Sequence, residues 1–239
     1  MKSVLSTQVI DRGKLARKRA TFIVVHNTGS TNLKKVINFY KTGAAYPHYL
    51  IDYNGDIYNF CDELKVAAHA AWPKWETNAY ANGTWKGKFQ NIKTGKVENV
   101  EPTLHANWVT EWNWGANKYK NPLKLVKASG GRTPNQSSIG IELMAPTDGQ
   151  FTESQYVSLA RLVLDIAVRH NIKLGDLTDN VLPTCYLCGH EDVSPCRRYA
   201  KRKDGSGFGF DPGPKFDWNR LSVTMVENSD MNKWAPNDT

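Results

Sequence analysis

The 239-residue chain has no apolar run approaching the roughly 18 residues that a membrane-spanning helix needs, so it is not expected to insert into a membrane. It holds only four cysteines, too few for a disulfide-built scaffold of this size. Its basic N-terminal stretch (Lys2, Arg12, Lys14, Arg17, Lys18, Arg19) is not followed by an apolar segment of signal-peptide length, and no internal repeat is visible. Acidic residues are in deficit, 23 against 31 basic ones, for a formal net charge of +8. That balance suits a polyanionic partner (nucleic acid, an anionic membrane or a wall polymer) without choosing among them. What is present argues for a folded chain. A hydrophobic content of 40% and an aromatic content of 11% exceed those of disordered sequences. The length can bury a core either as one domain with insertions or as two small domains.

Thr21 to Val25 is β-branched and aromatic, reads as a buried strand, and runs into His26-Asn27-Thr28-Gly29-Ser30. Leu33, Val36, Ile37 and Tyr40 then follow helical spacing, with Thr31 as N-cap and Gly43 as the stop. Two strands, His48 to Tyr53 and Ile57 to Phe60, flank the hairpin signal Asn54-Gly55. Ser138 to Leu143 reads as a further buried strand. An amphipathic helix follows, capped by Thr152, with Tyr156, Leu159, Leu162, Val163 and Ile166 on one face and an end near His170-Asn171. This alternation predicts a mixed α/β fold with a central β-sheet flanked by helices. Between about residues 72 and 134 the character changes: six of the eight tryptophans fall there, with little periodicity. That stretch reads as a long insertion, either a lid over the core or a peripheral subdomain built on tryptophan. The expected organisation is one domain over residues 1–222 carrying this insertion, then a polar tail over 223–239.

Of six histidines, several stand where the chain leaves or enters a predicted strand, where sites are usually built. His26 ends the first strand. His190 lies in Gly189-His190-Glu191-Asp192, and Asp211 opens the turn Asp211-Pro212-Gly213-Pro214. Two imidazoles and one carboxylate or thiolate make a zinc site with its fourth position open, the arrangement of a hydrolytic rather than a structural centre. Taken singly, each histidine is more often structural.

The order of motifs resembles that of the zinc-dependent N-acetylmuramoyl-L-alanine amidases, a family shared by phage endolysin amidases, bacterial muropeptide-recycling amidases and peptidoglycan recognition proteins. The matching pieces are Val24-Val25-His26-Asn27-Thr28, Tyr46-Pro47-His48-Tyr49-Leu50-Ile51-Asp52 with Asn54-Gly55-Asp56, and Ala67-Ala68-His69-Ala70. Asn135 to Leu143, Gly189 to Pro195 and Asp211 to Trp218 complete the order. The resemblance implies His26, His190 and Asp211 as ligands of Zn2+, Glu142 as a general base, and Tyr46 as a residue that orients water or the substrate carbonyl. It places His48 and His69 along the site, behind the metal ligands or against the substrate rather than on the metal. Alternatives stay open: Tyr46 as a strand-edge aromatic, Glu142 as a structural carboxylate. Flanked by Ile141 and Leu143, the Glu142 carboxylate should be partly desolvated, which raises its pKa toward a useful value.

Two features depart from the family pattern. Gly209 stands where relatives usually carry an oxyanion-stabilising lysine, and Lys203, upstream across an insertion, is the candidate replacement. Cys196, six residues after His190, is a rival third ligand. Cys185-x-x-Cys188 with Cys196 and a histidine could instead form a structural knuckle, although buried inert thiols are the default.

The resemblance implies hydrolysis of the amide between N-acetylmuramic acid and L-alanine in peptidoglycan or soluble muropeptides. Phage endolysin is the leading setting: made in the host cytoplasm without a signal peptide, reaching the wall through holin-type release. A recycling amidase is the alternative. A non-catalytic peptidoglycan-binding module is a different class of reading, but filled ligand positions favour the enzyme. No motif supports nucleic-acid binding. A monomer is expected.

Overall fold

The computed structural model describes residues 7–13, 19–70, 87–90, 97–100, 134–146, 149–174, 182, 184, 186–193 and 211–234. In chain order the elements are β1 (Thr7–Gln8), β2 (Phe22–Gly29), α1 (Leu33–Thr42), β3 (Tyr49–Ile51), β4 (Ile57–Asn59), β5 (Gly87–Gln90) and β6 (Val97–Val100). They continue as α2 (Pro134–Ser137), β7 (Ser138–Pro146), α3 (Glu153–His170), β8 (Leu187–Gly189), α4 (His190–Val193) and α5 (Trp218–Trp234). The mixed α/β expectation holds. Six strands form one sheet in the order β1-β4-β3-β7-β2-β8. Only β3 and β4, joined by the Asn54-Gly55 turn, pair antiparallel within it. Most of the 72–134 stretch lies outside the described residues; its β5 and β6 pair antiparallel with each other.

A mainly parallel sheet is covered on both faces, and its central strands show what each face is for. Side chains alternate along a strand, so Ile23 and Val25 of β2, Ile139, Ile141 and Leu143 of β7, and Tyr49 and Ile51 of β3 share one face. That face is aliphatic. It packs on Tyr156, Leu159, Leu162, Val163 and Ile166 of α3 and on Leu221 and Met225 of α5. On the opposite face the apolar residues form two smaller clusters, Phe22 and Val24 with Cys188 and Val193, and Val36 and Tyr40 of α1 with Leu50, Phe60 and Met144. The same face carries His26, Ser138, Gly140 and Glu142, so the sheet has one packing face and one that is partly chemical.

The turns and caps have local causes. Gly55 sits at φ +88, and the Asp52 carboxylate accepts from the backbone N–H groups of Asn54 and Asp56 across the turn. Thr152 and Gln155 make a reciprocal capping box at the start of α3. Its end is closed by Asn171 in the left-handed region at φ +54. Three expectations shift. Asn32, not Thr31, caps α1, because its side chain reaches the Lys35 N–H at 2.9 Å. The hairpin strands are shorter than their apolar runs, since the Asp52 side chain takes over the backbone at the turn. The polar segment after Val223 is helical as far as Trp234, because Leu221, Thr224, Met225 and Asn228 recur at helical spacing and are buried.

A half-buried ion network ties the far end of α3 to the sheet. Glu63 accepts from Tyr49 Oη at 2.8 Å, from Arg169 through Nη2 at 2.6 Å and Nε at 3.0 Å, and from His170 Nε2 at 2.9 Å. His170 Nδ1 in turn accepts from the Ala20 N–H, so its proton stands on Nε2. Burial alone would raise the Glu63 carboxyl, but His170 and Arg169 reverse this and hold it well below the usual carboxylate range. A depressed carboxylate contributes stability above its unfolded pKa of about 4.3 and loses it as pH falls below that value. Glu63→Gln is therefore expected to cost about 2–3 kcal/mol at neutral pH. In urea melts the gap between variant and parent should narrow below about pH 4; a gap that stays constant down to pH 3 would contradict this account.

Candidate metal centre

The parallel pairing of β2 with its neighbours brings the predicted ligands together. Val25 of β2 lies opposite Gly189, the last residue of β8, so the next residues, His26 and His190, meet where β8 ends, three residues before the end of β2. That is the carboxyl end of parallel strands, where open α/β sheets build their sites. Asp211 enters from the turn before α5. Glu191 holds its backbone from both sides: Glu191 N–H donates to the Asp211 carbonyl at 3.1 Å, and Asp211 N–H donates to Glu191 Oε2 at 3.3 Å. Asp211 Oδ1 accepts from the Asn27 N–H at 2.8 Å, which turns Oδ2 toward the imidazoles.

Asp211 Oδ2 lies 3.2 Å from His26 Nδ1 and 3.2 Å from His190 Nδ1. One ligand atom from each of the three residues falls within 4.8 Å of the others. All three are buried, at 1%, 4% and 7% exposure for His26, His190 and Asp211. Burial by itself would raise the Asp211 carboxyl; the charge and hydrogen bonds of His26 and His190 more than offset it and hold Asp211 well below the ordinary range. Two imidazole nitrogens and a carboxylate oxygen converging in a buried site suit zinc with a fourth position left for substrate or water. The donor set fits the metal.

Behind His26 lies a second layer. His26 Nε2 is 3.0 Å from His69 Nδ1, and His69 Nε2 is 3.3 Å from Ser138 Oγ, which donates to the Pro134 carbonyl at 2.8 Å. Asn135 Oδ1 accepts from the N–H groups of His69 and Ala70, at 3.0 and 2.7 Å, and fixes the segment that carries the ring. The ring lies over Gly140, where an added Cβ would come within 2.3 Å of its Cγ and Nδ1. Only glycine leaves that space.

The remaining predicted residues separate. Glu142 is half-buried on β7, and the parallel register places it directly beside His26 on the chemical face. Leu50 of β3 flanks it on the other side. His48 is fully buried, its Nδ1 accepting from the Gly140 N–H at 3.0 Å and its Nε2 bonded to the Lys65 carbonyl at 3.2 Å. Both ring nitrogens meet backbone, one at Gly140 of β7 and one at Lys65 beyond β4, so His48 braces the sheet behind the site. Tyr46 bridges Ala68 through its backbone, lies 4.2 Å beneath the Arg12 guanidinium and packs on the α1 cluster, which are the contacts of a strand-edge aromatic. Lys203, Cys185 and Cys196 lie outside the described residues. Cys188 is buried on β8 with its Sγ directed at the Ile23 carbonyl, in keeping with an inert thiol.

Sequence reasoning missed Tyr40, whose phenol hydrogen-bonds Glu142 and feels the charge of Asp211. Burial first, then Glu142, push its pKa well above the ordinary tyrosine value, so it stays a neutral donor. It was read only as a core position on a helical face, and helical spacing does not say where a hydroxyl points. A signal for the second layer did exist: Ser138, Gly140 and Glu142 recur at every second position in an otherwise aliphatic strand.

Comparison with known proteins places the chain in a family. The family model for N-acetylmuramoyl-L-alanine amidase matches residues 16–207. The chain belongs to the N-acetylmuramoyl-L-alanine amidase family. Within the matched range of this family member lie His26, His69, Glu142 and His190; Asp211 falls just beyond it, so its place rests on the geometry above. A curated relative, the 1,6-anhydro-N-acetylmuramyl-L-alanine amidase AmpD of Enterobacter cloacae, is 30% identical over 96 residues, spanning 40% of each chain. The match thus spans about two fifths of that relative's length. Among solved structures, a selenomethionyl AmpD derivative superposes with a TM-score of 0.51 at 18% identity, covering 92% of this chain and 93% of that one, which shows the shared fold. The amidase LysC of Clostridium intestinale URNW aligns at 16% identity and a TM-score of 0.48 over 93% and 97% of the two chains.

Gly140→Ala tests the packing of the family site. The added methyl meets a ring held at both nitrogens, so a loss of about 1–3 kcal/mol is expected. Thermal melts that match the parent's would show that the ring can move aside.

Proposed function

We propose that the protein is a zinc-dependent hydrolase of the amide bond between N-acetylmuramic acid and L-alanine in peptidoglycan. The observation that carries the proposal is the convergence of one ligand atom each from His26, His190 and Asp211 within 4.8 Å in a buried site of a chain from this amidase family. Zinc held there would supply Lewis acidity, polarising the scissile carbonyl and making water acidic enough to react at neutral pH. The chain's own groups do the rest. Glu142, beside His26, is placed to take the proton from the attacking water and return it to the leaving amine. Tyr40 donates to that carboxylate and holds its orientation. Lys203 remains the candidate cation for the developing oxyanion.

For the biological setting we propose wall lysis as a phage endolysin. A net charge of +8 suits an anionic wall, and a tryptophan-rich stretch suits stacking on sugar faces. In this setting the protein would accumulate in the host cytoplasm and reach the wall through holin-type pores. The recycling reading is favoured by a different observation, the match to a relative named for anhydro-muramyl substrates.

Asp211→Ala is expected to lose bound zinc and activity together, whereas Cys196→Ala keeps both. Full zinc in Asp211→Ala, with loss only in Cys196→Ala, would transfer the third ligand to the thiol. Glu142→Gln should keep its zinc while kcat drops by at least about 100-fold; an unchanged kcat would remove Glu142 from the chemistry. Turbidity clearing of intact sacculi, set against peptide release from soluble anhydro-muropeptides, separates the two settings. Activity confined to the soluble fragments would sink the endolysin reading.

A further inference from the structure

We infer that Arg12 is a positioning residue: it fixes the last turn of α1 and thereby holds the Tyr40 hydroxyl against Glu142. The inference rests on the reading of Glu142 as the general base. α1 ends without the usual left-handed closure, because Gly43 at its C-terminus is extended, at φ −71 and ψ 167, and its N–H turns back to the Phe39 carbonyl at 2.6 Å. Arg12 supplies the rest of the cap. Its Nη1 donates to the carbonyls of Tyr40 and Gly43, at 2.7 Å each, and sets a cation at the negative end of the helix. One of those two carbonyls belongs to Tyr40 itself. The Tyr40 side chain turns toward the sheet: it is 6% exposed, its ring lies 5.4 Å from that of Phe60, and it packs in one cluster with Leu50 and Met144. Leu50 is the cross-strand partner of Glu142, and Met144 follows Glu142 by two residues on the same face of β7. The phenol is thus delivered beside that carboxylate, to which it hydrogen-bonds.

Arg12 reaches the helix end because the segment around it is laced to the sheet edge. β1 pairs parallel with β4, the Val9 N–H donates to the Asn59 carbonyl at 2.8 Å, and the Arg12 N–H donates to the Phe60 carbonyl at 3.1 Å. The Asp11 carboxylate accepts from the Asp62 N–H at 3.2 Å and pairs with Lys65. Gly13 lies so close to Lys65 and Cys61 that a side chain there would collide with both. Tyr46 completes the seat, its ring 4.2 Å beneath the guanidinium. Residues 7–13 therefore tie the edge strand on one side to the end of α1 on the other, and Arg12 is the link. They lie ahead of the residues that the family model matches. A hydrogen bond from a hydroxyl to a carboxylate tolerates only a few tenths of an ångström around about 2.6 Å, so loosening the last turn of α1 is enough to release it.

The test reads turnover and the phenol separately. Kinetics use the zinc-loaded full chain and an N-acetylmuramoyl-L-alanyl peptide. Tyr40→Phe is expected to lower kcat about 10-fold while KM stays within about twofold. Arg12→Met, which keeps an unbranched stem over Tyr46 and removes the donors, should lower kcat about 5- to 10-fold, but by less than about twofold in a Tyr40→Phe background. Because a single nitrogen serves both carbonyls, an ammonium can do the same, and Arg12→Lys should stay within about threefold of the parent. In metal-free protein labelled with 13Cζ-tyrosine, the Tyr40 resonance is identified by its loss in Tyr40→Phe. It should move toward those of exposed tyrosines in Arg12→Met and keep its place in Arg12→Lys. Arg12→Gln replaces Arg12→Met, with the same outcomes, should that variant not fold. A Tyr40 resonance unmoved in Arg12→Met overturns the inference. So do equal falls in kcat in the two backgrounds, or a lysine variant no better than the methionine one. Parent-like kcat in Glu142→Gln would refute the general base instead, while the resonance still shows whether Arg12 holds the phenol.

Discussion

A carboxylate removed from water beside two imidazoles is the constraint around which this molecule is arranged. Asp211 is buried, and an uncompensated buried charge is one of the most costly things a fold can contain. Here it is compensated on every side: the Asn27 N–H at one oxygen, His26 and His190 at the other, and Glu191 at its backbone. These partners come as two neighbouring pairs, His26 with Asn27 and His190 with Glu191, from distant parts of the chain. The pairing of β2 with β8 and the return of the chain to Asp211 must therefore all be correct before the charge is tolerable.

The central sheet makes that possible by dividing its labour between two faces. The face toward α3 and α5 is continuous aliphatic surface, and its burial supplies the bulk of the apolar driving force. The other face gives up part of its packing to small and polar side chains, and α1 with its cluster covers what remains. Alternation in an extended strand assigns these roles residue by residue, so β7 can be core at Ile139, Ile141 and Leu143 while Ser138, Gly140 and Glu142 serve the site. The site inherits its rigidity from the packed face, because both sets of side chains hang on the same backbone.

Local chemistry made much of this legible before any coordinates. The β-branched run into His26, the Asn54-Gly55 turn and the Thr152 cap each rest on residue type and short spacing, and each stands in the structure. Less was legible where a side chain had a choice of directions. Tyr46 and Tyr40 are both aromatic residues near the site in sequence terms; Arg12 claims the first, while the pitch of α1 delivers the second to Glu142. His48 looked available for substrate, yet the Gly140 N–H and the Lys65 carbonyl use both of its nitrogens. The segment after Val223 looked like a tail because its composition is polar, although its few buried positions recur at helical spacing against α3.

The sequence by itself determined the fold class, the hairpin turn, the Thr152 cap and the candidates able to hold a metal, because these depend on interactions within a few positions or on chemistry that few residue types possess. Only the tertiary structure decided which oxygen of Asp211 faces the imidazoles, which tyrosine serves Glu142, and that His69 stands behind His26. Those depend on the register between strands far apart in the chain. A shift of one residue there would turn every side chain to the opposite face.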